Sequence, residues 1–174
     1  MFNVKQYIRE VPDWPKSGVN FKDITPLLQD AKIFKTLIDS LTEPYSDKKI
    51  DKIVVIDARG FLLGTAMAYK LGCGVSLVRK KGKLPYKTIE ESYEKEYGPD
   101  TLTMHADAVT LNEKVLIVDD LMATGGTMQA TVNMVEKLGG EIIGISVIVD
   151  LPFLGGSEKF KKYNFKSLVS YQSE

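Results

Sequence analysis

The hydrophobic positions of the chain switch between two periods, and each switch marks an element. Val4, Tyr7 and Ile8 share one face of a short helix predicted over residues 3–10, with Asn3 in place to cap it. Pro12, Pro15 and Gly18 then force a loop that runs through Val19 to Thr25. Ile33, Phe34, Leu37, Ile38 and Leu41 recur at helical spacing and predict a helix around 31–42. The β-branched run from Lys52 to Asp57 reads as a buried strand. A helix over 60–71 follows, closed by Gly72, and Gly74 to Arg79 is a second strand. Later the same pattern resumes: a strand from Val115 to Asp119, a helix from Gly126 to Leu138 stopped by Gly139-Gly140, and a strand from Ile142 to Val149.

Strand and helix in alternation predict a single α/β domain over 1–174, with a mainly parallel twisted sheet flanked by helices. Such sheets bind ligands beyond the C-terminal ends of their strands, where Asp57 and Asp119-Asp120 fall. Residues 80–100 break the pattern. They hold Gly82, Pro85, Gly98, Pro99 and many charges with little periodicity, and are expected to be a functional or mobile loop.

Composition narrows the class. The chain has 174 residues, 44% hydrophobic and 26% charged, which is a globular balance. Its 23 basic and 23 acidic residues cancel, so a general nucleic-acid coat is excluded. The cancellation hides a split: residues 1–87 hold 16 basic and 9 acidic groups, residues 88–174 hold 7 and 14. The one cysteine, Cys73, reads as a small core residue and forms no intrachain disulfide. No stretch approaches a membrane span and no signal-peptide run opens the chain, so a soluble cytoplasmic protein is expected.

The most informative stretch is Val115 to Thr127, VLIVDDLMATGGT. Four apolar residues end in two carboxylates, and a small glycine-rich turn leads into a helix. Asp119 and Asp120 are suitable acceptors for vicinal sugar hydroxyls. Ala123, Thr124, Gly125, Gly126 and Thr127 offer successive backbone N–H groups at a helix N-terminus, which is a phosphate site. The spacing is not that of a Walker loop or a dinucleotide fingerprint. A second concentration of charge, Arg79, Lys80, Lys81, Lys83 and Lys87, contains no acid; such a run is either a solvated loop or a polyanion contact.

The 115–127 string resembles the 5-phosphoribosyl-1-pyrophosphate (PRPP) motif of the type I phosphoribosyltransferases. Two further segments are similar to the adenine-specific members: VPDWPKSGVNFKDITPLL at 11–28 resembles their base-binding hood, and RKKGKLPYKTIEESYEKEYG at 79–98 resembles their flexible catalytic loop. The tail from Ser167 to Tyr171 is also similar, so the resemblance spans nearly the whole chain.

The resemblance implies a Mg²⁺-dependent transfer of the phosphoribosyl group from PRPP to N9 of adenine, giving AMP and pyrophosphate in purine salvage. It implies pyrophosphate contacts from Asp57, Ala58, Arg59 and Gly60, where the family often has a non-proline cis peptide, and from Arg79, Lys80 and Lys83. Magnesium would be held mainly by PRPP and water. Glu96 and Tyr97 are implied as catalytic, the carboxylate handling a proton near N7 of the base. Phe21 would stack on adenine, with Leu121 on the other face and the backbone of Asn20 and Lys22 reading its edge. The family commonly has an aliphatic residue at 20 and Arg at 22, which separates those side chains from any family role. A homodimer is also implied. His105, the only histidine, reads as a strand or surface residue, and Trp14 as a packing residue. A related transferase for another base, or a PRPP-sensing regulator that binds nucleic acid, are the competing readings. The first is opposed by residues 11–28, the second by the retained loop with Glu96.

Overall fold

The computed structural model describes residues 2–95 and 98–173. Its centre is an eight-stranded sheet. Strands β3 (Lys52–Ile56) and β7 (Lys114–Val118) lie side by side in the middle. Beyond β3 comes β4 (Gly74–Lys80), and beyond β7 come β9 (Glu141–Asp150) and β10 (Phe165–Ser170), all parallel. The short β8 (Leu121–Met122) also pairs with β9.

Alternate residues of the central strands face opposite layers, which is why these runs are apolar throughout. Ile53, Val55, Leu116 and Val118 join one core with helices α1 (Thr25–Gln29), α2 (Ala31–Thr42) and α3 (Arg59–Leu71). Val54, Ile56, Val115 and Ile117 join the other with α4 (Gly126–Lys137). Each fully buried Val or Ile contributes on the order of 1.5–3 kcal/mol. Asp30 caps α2, its carboxylate accepting from the N–H groups of Lys32 and Ile33.

The chain passes from β3 through α3 to β4 on one side, and from β7 through α4 to β9 on the other. The two windings diverge between β3 and β7. A cleft therefore opens at the carboxyl ends of those strands, where the connections part.

Two expectations are corrected. Residues 3–10 do not form one helix: a single turn at Val4–Tyr7 gives way to β1 (Arg9–Val11), which pairs antiparallel with β2 (Phe21–Asp23). That hairpin covers the cleft from one side. The segment expected as a loop over 79–100 is largely strand. β4 runs on to Lys80, and β5 (Thr88–Lys95) and β6 (Gly98–His105) form an antiparallel hairpin on the sheet edge. Cross-strand pairing supplies the order that the sequence's weak periodicity concealed. His105 ends β6, its Nε2 2.6 Å from the Pro85 carbonyl oxygen. Trp14 is 51% exposed, yet its ring lies edge-on to Phe21 with centroids 4.4 Å apart.

Candidate active site

The turn after β7 forms the floor of the cleft. Asp119 and Asp120, Ala123, Thr124, Gly125, Gly126 and Thr127 all line one cavity of about 210 Å³, so the structure gathers the whole predicted phosphate and sugar motif. Gly125 holds φ +81°, the left-handed turn that starts α4. No side chain among the described residues caps that helix, and its first residues, Gly126 to Met128, line the cavity.

The two carboxylates differ in role. Asp120 is buried and its Oδ2 accepts from Arg59 Nε at 2.5 Å. Asp119 Oδ1 accepts from the Asp120 N–H at 2.9 Å. Burial, then the neighbouring Asp120 charge, pushes the Asp119 carboxyl well above the usual carboxylate range.

The loop after β3 faces this floor. The Asp57–Ala58 peptide is cis, as the resemblance implied. A helix cap is one use for Asp57, but its Oδ2 instead accepts from Arg79 Nε at 2.8 Å. Gly60 is where α3 touches the end of β7: an added Cβ would stand 3.0 Å from the Val118 carbonyl oxygen and 3.1 Å from Asp119 Oδ1. Arg59, implied as a pyrophosphate contact, has its guanidinium on Asp120, and its Cζ lies 5.4 Å from the Phe21 ring centroid.

The basic run divides. Arg79 also donates to the Lys83 carbonyl at 3.2 Å, which joins Asp57, Arg79 and the turn at 80–83. Lys80 pairs with Asp100 at 3.2 Å and Lys81 with Glu90 at 2.7 Å, so part of the run anchors the edge hairpin. The Lys83 side chain is exposed.

A second cavity, about 320 Å³ and mostly apolar, adjoins the first. Phe21 and Leu121 line it as expected, with Asn20 and Lys22 beside them. The Lys22 side chain is buried away from it, donating to Glu10 at 3.2 Å and lying 4.5 Å from the Tyr171 ring centroid. Asn20 Nδ2 donates to the same Glu10 oxygen at 2.6 Å. Both side chains thus brace the hood. Glu96 and Tyr97 lie outside the described residues.

Sequence reasoning missed several neighbours. Leu151, Phe153 and Leu154 wall the apolar cavity from the β9–β10 connection, a contact with no local signal. Lys159 donates to the Thr124 carbonyl at 2.8 Å. Tyr93 of β5 packs on Gly126 and reaches Thr127. Its signal was the two-residue alternation that puts Ile89 and Tyr93 on one strand face.

Comparison with known proteins accords with this geometry. The family described as phosphoribosyl transferase domain matches residues 25–173. An adenine phosphoribosyltransferase of Clostridium botulinum is 52% identical over 169 residues, covering 97% of this chain and 98% of its own. The crystal structure of an adenine phosphoribosyltransferase from Thermoanaerobacter pseudethanolicus superposes with a TM-score of 0.93 at 48% identity, covering 97% of this chain and 98% of that one. The Saccharomyces cerevisiae enzyme, solved with adenine and an imino-altritol bisphosphate, has a TM-score of 0.90 at 36% identity, covering 95% and 96%.

Proposed function

The chain belongs to the phosphoribosyl transferase family, and from that premise we propose that it transfers the 5-phosphoribosyl group of PRPP to N9 of adenine, giving AMP and pyrophosphate for purine salvage. One observation carries the substrate pairing: Arg59, Leu121, Ala123 and Thr124 line both cavities. A polar pocket sized for a phosphorylated sugar therefore opens directly onto an apolar one with an aromatic wall. That is the arrangement needed to hold C1 of the ribose against a flat base.

The 5′-phosphate accepts from the N–H groups of residues 124–127 and from the Thr127 hydroxyl at the start of α4. Asp119 accepts from ribose hydroxyls, while Asp120, neutralised by Arg59, fixes the turn beneath. Phe21 and Leu121 sandwich adenine, a stacking contact worth about 1–3 kcal/mol. Departure of pyrophosphate leaves a cation-like ribosyl centre, as in glycosidic chemistry. Arg79, Lys83 and the backbone of 57–60 receive the leaving charge. Glu96 handles the purine proton as N9 attacks, with Tyr97 beside the ring.

The carboxylates suit a magnesium ion that arrives on PRPP. Asp57 and Asp120 are already engaged by guanidinium groups, and no three His, Cys, Asp or Glu residues converge as a metal cage among the described residues. When bound, the ion adds positive charge at the pyrophosphate. A homodimer is proposed, supported by Leu62 and Tyr69 on α3 and Leu77 on β4, which are large, apolar and exposed. Residence in the cytoplasm rests on the sequence grounds above; no described helix is long and apolar enough to cross a membrane.

An AMP-formation assay with adenine and PRPP, run with and without Mg²⁺, tests the reading. Guanine and hypoxanthine at equal concentration complete it. Turnover of guanine without adenine would overturn the base assignment, and Mg²⁺-independent turnover the metal.

A further inference from the structure

The contact between β5 and the phosphate-binding turn lies outside the pyrophosphate loop and the base cavity. Tyr93 stands on β5, paired with Asp100 across the hairpin. Its ring lies flush on the first residue of α4: a Cβ at Gly126 would meet Tyr93 Cδ2 at 2.7 Å. Its phenol oxygen is 3.1 Å from Thr127 Oγ1. Tyr93 and Ile89 also pack against the core that holds Met128 and Val132 of α4. One side chain thus seats the hairpin on α4 and touches a hydroxyl that lines the phosphate cavity. The ion pairs Lys80–Asp100 and Lys81–Glu90 fasten the same hairpin to β4 and the turn after it, and none of these four residues lines that cavity.

We infer that Tyr93 is a positioning residue that couples occupancy of the 5′-phosphate site to docking of the β5–β6 hairpin on α4. The inference rests on the transferase reading for its substrate, and on geometry for the coupling. A threonine hydroxyl has one proton to donate and two lone pairs to accept with. Thr127 Oγ1 donates to the Tyr93 oxygen at 3.1 Å. When a phosphate dianion enters, the Thr127 proton turns to it in a charge-assisted bond. The Tyr93 O–H then donates to Thr127 Oγ1, whose acceptor strength rises because its own proton is held by an anion. The contact that seats the hairpin is thereby strengthened. By reciprocity a docked hairpin raises affinity for the 5′-phosphate. Gly126 belongs to the same device, since any larger residue would lift the ring from α4.

Ribose 5-phosphate is the probe, because it carries the 5′-phosphate without the pyrophosphate. Hydrogen exchange is followed in residues 88–95 and 98–105 of the full chain, with and without it. Steady-state kinetics are measured alongside. In the wild type, ribose 5-phosphate slows exchange in the hairpin. Tyr93→Phe keeps the ring on Gly126 and removes only the hydroxyl. It loses that protection and lowers kcat/KM for PRPP about threefold to tenfold, the worth of one such bond. Its KM for adenine at saturating PRPP is unchanged. Thr127→Val loses at least as much, because it also removes a hydroxyl donor to the phosphate, and the double variant loses no more than Thr127→Val alone. Wild-type protection and kcat/KM in Tyr93→Phe, or additive losses in the double variant, would overturn the inference. A wild type that makes no AMP would overturn the transferase reading instead; the exchange measurement needs only the 5′-phosphate and still decides the coupling.

Discussion

Arg59 and Asp120 meet at the junction of the two cavities, with Arg59 Nε donating to Asp120 Oδ2 at 2.5 Å. The same guanidinium lies over the Phe21 ring, so a single side chain connects the polar cavity to the apolar one.

Arg59→Gln leaves the Asp120 carboxylate, only 9% exposed, without its charged partner. The expected loss is about 1–3 kcal/mol of stability, read by urea unfolding. KM rises for both PRPP and adenine. A rise for one substrate alone would show that the guanidinium serves only one cavity.

The hood predicts a pH signature. The hydrogen bonds from Asn20 and Lys22 hold the Glu10 carboxyl below its ordinary value of 4.5. A lowered folded-state value means stability that is fully present above 4.5 and is lost as pH falls through the lowered value. Glu10→Gln therefore melts below the wild type at neutral pH, and the two melting temperatures converge in acid. A constant gap across the titration would place the stabilisation elsewhere.

Asp119 works in the opposite direction. Burial and Asp120 raise its carboxyl, so this group favours the fold at low pH and that contribution is lost as pH rises through the raised value. PRPP capture needs the ionised acceptor and strengthens over the same range. Asp119→Asn flattens the pH dependence of PRPP affinity and weakens capture at neutral pH. Titration of PRPP binding by calorimetry at several pH values reads both effects, and undiminished affinity would end the ribose role.

Gly60→Ala brings a methyl to 3.0 Å from the Val118 carbonyl, a backbone atom that cannot swing aside. Overpacking of this kind costs about 1–3 kcal/mol. Because the methyl also nears Asp119 Oδ1, KM for PRPP rises with the loss of stability. Circular dichroism melts and kinetics on one preparation check the pair.

Glu96→Gln lowers kcat far more than it weakens PRPP binding, since proton handling belongs to the transition state. Unchanged kcat would assign the proton to another group.

Much of this was legible from local pattern. The runs 52–57 and 115–119 are β-branched because both faces of those strands are covered, and the carboxylates at their ends fall at the sheet edge for that reason alone. The turn before α4 was legible because its glycines, its threonines and the helix start are contiguous, so that cavity is lined largely by neighbours in the chain. Residues 88–105 were not: their order comes from pairing β5 with β6 and β6 with β4.

By itself, then, the sequence determined the central strands and helices in their order, the glycine-rich turn before α4 and the family likeness, since each depends on residues close together along the chain. Tertiary structure alone decided that Arg59 turns to Asp120, that Lys80 and Lys81 spend their charge on Asp100 and Glu90, that Leu151 and Phe153 wall the apolar cavity, and that Tyr93 sits on Gly126. Those partners lie 9 to 61 positions apart or on separate elements. Their meeting is set by how the sheet is wound and packed, which periodicity along one segment does not record.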